Sequence, residues 1–136
     1  MSGMFSSLAV TATGMTAFKT WINAVSDNVA NVNTVRPTSE PAFQERFVHV
    51  SARQASRDAI GAGVKVDHIE FGPAEGQLVY DPNNPMADEE GMVRRPQMNL
   101  SDQMTALILA QRGYQANVTV FERARDAYQR ALEIGR

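Results

Sequence analysis

From Leu100 to Ile134 the apolar positions fall into two rows, each stepping by three and four residues. One row is large: Leu100, Met104, Leu107, Tyr114, Val118, Phe121, Tyr128 and Leu132. The other is mostly small: Ala106, Ala110, Gly113, Val120, Ala124, Ala127, Ala131 and Ile134. This spacing predicts one long helix with two apolar faces. A single partner helix covers one face, and the other stays wet unless something else binds it. Asn99 or Ser101 serves as its N-cap, Asp102 suits the positive end of the helix dipole, and Gly135 ends it. Gly113 costs roughly 1 kcal/mol relative to Ala inside a helix, so its register with the alanines points to close approach of another backbone.

A second helix is predicted over about Met4 to Ala30. Phe5, Leu8, Ala12, Met15, Ile22 and Val29 form one row, and Val10, Gly14, Phe18, Trp21 and Val25 a rougher one. Asn28, Asn31 and Asn33, followed by Pro37, mark its end. Between the helices the periodicity shortens towards two, which predicts strands at Phe43 to Val50, Val64 to Phe71, Leu78 to Tyr80 and Met92 to Arg95. The facing of apolar residues in the second of these flips near Asp67, as a β-bulge would make it. Arg53 to Ala62 reads as a loop, and Asp81 to Gly91 as a turn-rich segment. The expected architecture is α+β, mainly α. Long terminal helices form a coiled-coil-like hairpin (residues 1–37 and 99–136), with a small β-rich domain between them (38–98).

Composition adds little that is positive. The chain has 136 residues, 43% of them hydrophobic, which suits one compact domain or a helical pair with an insert. A formal net charge of −2 gives no reason to expect nucleic acid. With no cysteine, disulfides and thiolate metal sites are excluded. No Lys or Arg precedes Lys19 and the early apolar run is broken, so a cleaved secretory signal is not expected.

The chemistry of active sites is equally sparse. His49 and His68, with Asp67, are the residues to consider for a metal, but no HxH or HExxH spacing supports one, and the plainer reading is two strand-surface imidazoles. A calcium loop starting at Asp81 has Asp81 and Asn83 in place but fails at Pro85, Met86 and Met92. The Asp-Pro and Asn-Pro steps instead predict a rigid double turn, with Asp88, Glu89 and Glu90 on a solvated face. Gly61-Ala62-Gly63 lacks the later glycine of a phosphate loop, and no nucleophile has an evident base. No enzyme, cofactor, metal or small-molecule substrate is expected. On the last helix, Asp126 and Arg130 are placed for an i,i+4 ion pair.

Three motifs lie in order along the chain. Ser26-Asp27-Asn28-Val29-Ala30-Asn31-Val32-Asn33-Thr34 resembles the S-x-N-x-A-N-x-x-T signature of bacterial flagellar rod, hook and filament-type axial proteins. Tyr80-Asp81-Pro82-Asn83-Asn84-Pro85, with Ala87-Asp88 and Gly91-x-Val93, resembles the central segment of the proximal-rod branch of that family, the rod protein C type. Arg112-x-Tyr114-Gln115-Ala116-Asn117-Val118 and Ala131-Leu132-x-Ile134-Gly135 resemble its C-terminal segment.

The resemblance implies a structural subunit of the flagellar basal body, sited in the periplasmic rod and exported through the flagellar type III apparatus without a cleaved signal. It further implies self-association in a helical array. The implied partners are other flagellar rod proteins and the hook–basal body protein that links rod to membrane ring. Subunit packing is then expected at Leu8, Met15, Ile22, Asn28, Asn31, Leu107, Tyr114, Asn117, Val118, Phe121, Ala124 and Leu132, with Tyr114, Val118 and Phe121 facing Leu8, Met15 and Ile22 as the main seam. A helical-hairpin adaptor or export chaperone that binds an amphipathic helix is the alternative with the same two-faced pattern.

Overall fold

The computed structural model describes residues 2–54 and 61–135. Most of the loop expected at Arg53 to Ala62 therefore lies outside the described residues. The elements run α1 (Ser2–Asn31), β1 (Arg46–Ala52), β2 (Val64–Phe71), β3 (Gln77–Tyr80), β4 (Met92–Arg95) and α2 (Leu100–Ile134). This is the expected α+β architecture with mainly helical termini. The helices are 30 and 35 residues long, about 45 and 52 Å at 1.5 Å per residue. Of the two possible caps for α2, Asn99 takes the role: its Oδ1 accepts the Ser101 N–H at 2.8 Å.

Two compact units divide the chain. The first comprises Met1–Ile22, Val48–His68 and Ile108–Arg136, and the second Asn23–Phe47 and Ile69–Leu107. In the first unit α1 and α2 pack in opposite directions. The rings of Phe5 and Tyr128 meet edge to face with centroids 5.6 Å apart. Further along, each helix offers a glycine to a side chain of the other. A Cβ on Gly113 would lie 2.3 Å from the Phe18 ring, and one on Gly14 would lie 2.6 Å from Asn117 Oδ1. Asn117 also donates to the Gly113 carbonyl at 2.9 Å. So the close approach expected at Gly113 exists, but an aromatic ring fills it and not a backbone. Without a Cβ the helix surface there is a hole, and Phe18 is the knob.

The covered face of α2 also differs from either predicted row. Gln103, Ala110, Asn117, Ala124 and Ala131, seven residues apart, are all buried or half-buried. Leu107, Tyr114, Phe121 and Tyr128 flank them, half-buried. Leu100, Met104 and Leu132 of the large row stay exposed, as do Val120 and Ile134 of the small one. The reason is steric: helices drawn together at two glycines bring small residues to the seam and push large ones to its margins. On α1 the hydroxyls of Ser7, Thr11, Thr16 and Thr20 donate to the carbonyl four residues earlier, at 2.7–3.1 Å, so these polar positions sit in a helix without needing outside partners.

β1 and β2 pair with each other. The Arg53 N–H donates to the Gly63 carbonyl at 2.9 Å and the Gly72 N–H to the Glu45 carbonyl at 2.8 Å, so the strands run antiparallel. Between these bonds β2 holds one residue more than β1, the count a β-bulge requires. α1 is tied to the start of β2 by Thr13, whose Oγ1 accepts the Val64 N–H at 3.0 Å and donates to the Val10 carbonyl.

In the second unit β3 and β4 pair antiparallel, Gln77 opposite Arg95 and Tyr80 opposite Met92. Their connection is the expected double turn: Asn84 N–H to Asp81 carbonyl, Ala87 N–H to Asn84 carbonyl and Gly91 N–H to Asp88 carbonyl. Asp88 is not part of a solvated face. Its Oδ1 accepts the N–H groups of Met92 (2.8 Å) and Glu90 (3.0 Å), and its Oδ2 accepts the Thr38 hydroxyl at 3.1 Å. The Met92 N–H above all holds this carboxyl below the ordinary range, with partial burial opposing it and Thr38 and Glu90 adding to it. On α2, Asp126 meets its neighbour Arg125 at 3.3 Å and not Arg130. Both side chains are more than half exposed, so the exchange matters little.

Two predictions follow from this packing. Gly113→Val places methyl groups where the Phe18 ring lies, and should cost about 1–3 kcal/mol in chemical denaturation, against no loss for the exposed Gln111→Ala. A Gly113→Val chain as stable as the parent would remove the knob-and-hole seam. Because the folded-state pKa of Asp88 is depressed, its contribution to stability is present above the unfolded carboxylate value. That contribution is lost as pH falls through the folded value, below about pH 4. Asp88→Asn should therefore lower stability at neutral pH and flatten the acid limb of a pH–melting curve.

Candidate assembly surface and signature turn

The Ser26-to-Thr34 signature spans the last turns of α1 and the turn after it. Asn28 is 1% exposed. Its amide has one acceptor and two donor hydrogens, and all are used within this chain. Oδ1 accepts the Arg46 N–H at 2.9 Å, while Nδ2 donates to the Arg46 carbonyl at 3.1 Å and to Gln103 Oε1 at 2.9 Å. A side-chain amide has the shape and polarity of a peptide group, so Asn28 pairs with Arg46 as a neighbouring strand would. β1 begins at Arg46 and not at Phe43 as its apolar pattern suggests. Phe43 lies instead beneath the Arg46 guanidinium, 5.7 Å from it. Gln103 Nε2 goes on to bond Glu45, and Asp27 takes the Arg46 guanidinium in an ion pair. One buried amide thus joins α1, the start of β1 and the first turns of α2.

The rest of the signature ends the helix. Asn31 Nδ2 donates to the Asp27 carbonyl at 2.9 Å, and Thr34 donates its hydroxyl to Asn31 Oδ1 at 3.1 Å. The Arg36 and Arg94 backbones then exchange N–H and carbonyl at 2.9 Å, which sets the chain beside β4.

The expected packing residues separate by exposure. Asn28 is interior, so its amide acts inside this chain and offers nothing to a neighbour. Asn31 and Asn117 are half-buried and their amides bond the backbone of their own helices. Met15, Tyr114 and Phe121 come together around an open groove of about 290 Å³ that Ala12, Thr16 and Lys19 also line. Leu8, Ile22, Leu107, Val118 and Ala124 are half-buried, and Leu132 is exposed.

Among the described residues the buried hydrophobic and polar side chains are Ala17, Ala24, Val25, Ala42, Val93, Ala110, Thr11, Asn28 and Gln103, none of them a large apolar one. Large apolar residues of α2 face outward, including Ile108, Leu109 (54% exposed), Val120 (54%) and Ile134 (86%), and on α1 Phe5 is exposed. The sequence reading missed Gln103, Glu45 and Arg46, which complete the Asn28 cluster. The signal for Gln103 was present: it stands seven residues before Ala110, a polar residue in register with a small-residue seam.

Two family models match the chain. Residues 8–38 match the flagella basal body rod protein model, and residues 89–134 match the C-terminal model of flagellar basal body rod FlgEFG proteins. Among curated relatives, the flagellar basal-body rod protein FlgC of Borreliella burgdorferi is 34% identical, covering 97% of both chains. FlgC of Bacillus subtilis is 32% identical over 97% of this chain and 98% of its own. FlgC of Aquifex aeolicus is 32% identical over 98% of each.

The chain belongs to the FlgC family of flagellar basal-body rod proteins.

Membership decides between the two readings of the helical pattern: the protein is a structural rod subunit of the flagellar basal body and not a helical adaptor. As in the FlgC family generally, its associates are rod and basal-body components. The first model's match includes the whole signature, so the family's shared motif falls on the residues that dock β1 and close α1. Asn28→Asp keeps the side chain's size but removes both amide donors and sets a carboxylate near Glu45. It should destabilise the chain by about 3 kcal/mol in denaturant unfolding. A change below about 0.5 kcal/mol would mean that the cluster does not hold these elements together.

Proposed function

We propose that this rod subunit assembles by packing the outer faces of α1 and α2 against the helices of neighbouring subunits in a helical array. The observation that carries this reading is the set of large apolar side chains exposed along α2, whose own seam is built from small ones. A stable monomer hides such residues where it can, and contiguous exposed apolar surface marks a binding face. In this reading Leu132, Tyr114, Val118 and Phe121 meet neighbours together with Leu8, Met15 and Ile22. The groove at Met15, Tyr114 and Phe121 receives a side chain from the next subunit. The neighbours are copies of this chain, other rod proteins, and the hook–basal body protein between rod and membrane ring. The subunit reaches the periplasmic rod through the flagellar export apparatus without a cleaved signal, and its role is structural and not enzymatic.

The test uses two variants. Leu132→Asp lies at an exposed position, so the isolated chain should keep its far-ultraviolet circular dichroism and melting behaviour. It should nonetheless fail to restore motility or appear in purified basal bodies, because the interface would bury an unpaired carboxylate. Val118→Asp, at a half-buried position, should block assembly as well and also lower monomer stability. Basal bodies that incorporate Leu132→Asp at the normal level would overturn the reading.

A further inference from the structure

His49 on β1 and His68 on β2 lie far apart in sequence, and no metal motif connects them. Folding brings them together. They lie on paired strands, and their side chains meet. Their rings stack with centroids 4.5 Å apart and planes 9° from parallel. Both side chains are exposed. Asp67 Oδ2 lies 3.6 Å from His68 Nδ1, and Asp67 Oδ1 lies 3.7 Å from the Lys65 ammonium.

We propose that His49 and His68 form a cross-strand chelate for a divalent cation of the zinc or copper class, with water in the remaining coordination positions. The argument is geometric and chemical. Imidazole nitrogen is the donor that suits these ions, which bind it at about 2.0–2.1 Å. Two such nitrogens on one tetrahedral ion stand about 3.3 Å apart. Ligand atoms of these two rings already lie within 4.8 Å of each other. Rotation about the side-chain bonds closes the remainder, since paired strands hold opposite residues at a separation that needs no backbone movement. Asp67 supplies the orienting carboxylate. Beside His68 Nδ1 it favours a proton there, which leaves Nε2 as the metal-binding lone pair. In this arrangement Asp67 is a positioning residue, and only the imidazoles touch the ion. The bound ion would cross-link β1 to β2, whose first residue, Val64, is held to α1 through Thr13.

The experiment is titration of the full untagged chain with Zn²⁺ alone and with Cu²⁺ alone, followed by calorimetry, and by electron paramagnetic resonance for copper. The expected result is one ion per chain, nitrogen hyperfine structure in the copper spectrum, and a melting temperature that rises with metal. His49→Ala and His68→Ala should each lose the binding, while their exposed positions leave the circular dichroism unchanged. Asp67→Asn should weaken it about tenfold. No saturable binding below about 1 mM would overturn the proposal. So would single histidine variants that bind as the parent does, or a stoichiometry of one ion per two chains. Unchanged affinity in Asp67→Asn would overturn the positioning role of the carboxylate.

Discussion

The Asn28 amide is the interaction on which the second unit is organised. Among the described residues, strand β1 has no backbone partner on that side at Arg46, and a buried peptide group without one is costly. Asn28 supplies the missing partner from within a helix, and its third hydrogen bond reaches Gln103 at the start of α2. Once that amide is placed, the rotation of α1 about its axis is set, and so is the starting residue of β1. Arg46 then reaches Asp27, and Glu45 reaches Gln103. A motif that reads in sequence as a helix stop thus does its main work one turn earlier, through a side chain no neighbour can see.

In the first unit the corresponding constraint is closeness. Gly14 and Gly113 let Asn117 and Phe18 enter the opposite helix. A seam of small residues leaves little apolar area to bury per turn, which is a poor design for a free-standing monomer. For a rod subunit it is suitable: rigid close packing inside each subunit, and large apolar residues such as Leu109 and Val120 facing outward. The same side chains would be a liability on an isolated protein.

Much of this was legible along the chain. Both helices, three of the four strand positions, a cap at Asn99 or Ser101 and the double turn after Asp81 follow from periodicity and turn chemistry, which are local. The start of β1 was misplaced because Phe43 continues the alternation of two while its ring is occupied by Arg46. Asp88 was misread as surface because its three hydrogen bonds come partly from Thr38, fifty residues away. The apolar rows of α2 were sorted by size, whereas the fold sorts them by a seven-residue seam that includes Gln103 and Asn117.

The sequence by itself determined the elements, their order, and the family to which the chain belongs, because helix and strand periods and motif spacing are properties of consecutive residues. Only the tertiary structure decided which face of each helix is covered and where β1 begins. It also decided that the His49 and His68 rings meet, and that Asn28 points inward. Those outcomes depend on which distant groups fit against one another, a matter of three-dimensional volume and hydrogen-bond geometry that no spacing rule encodes.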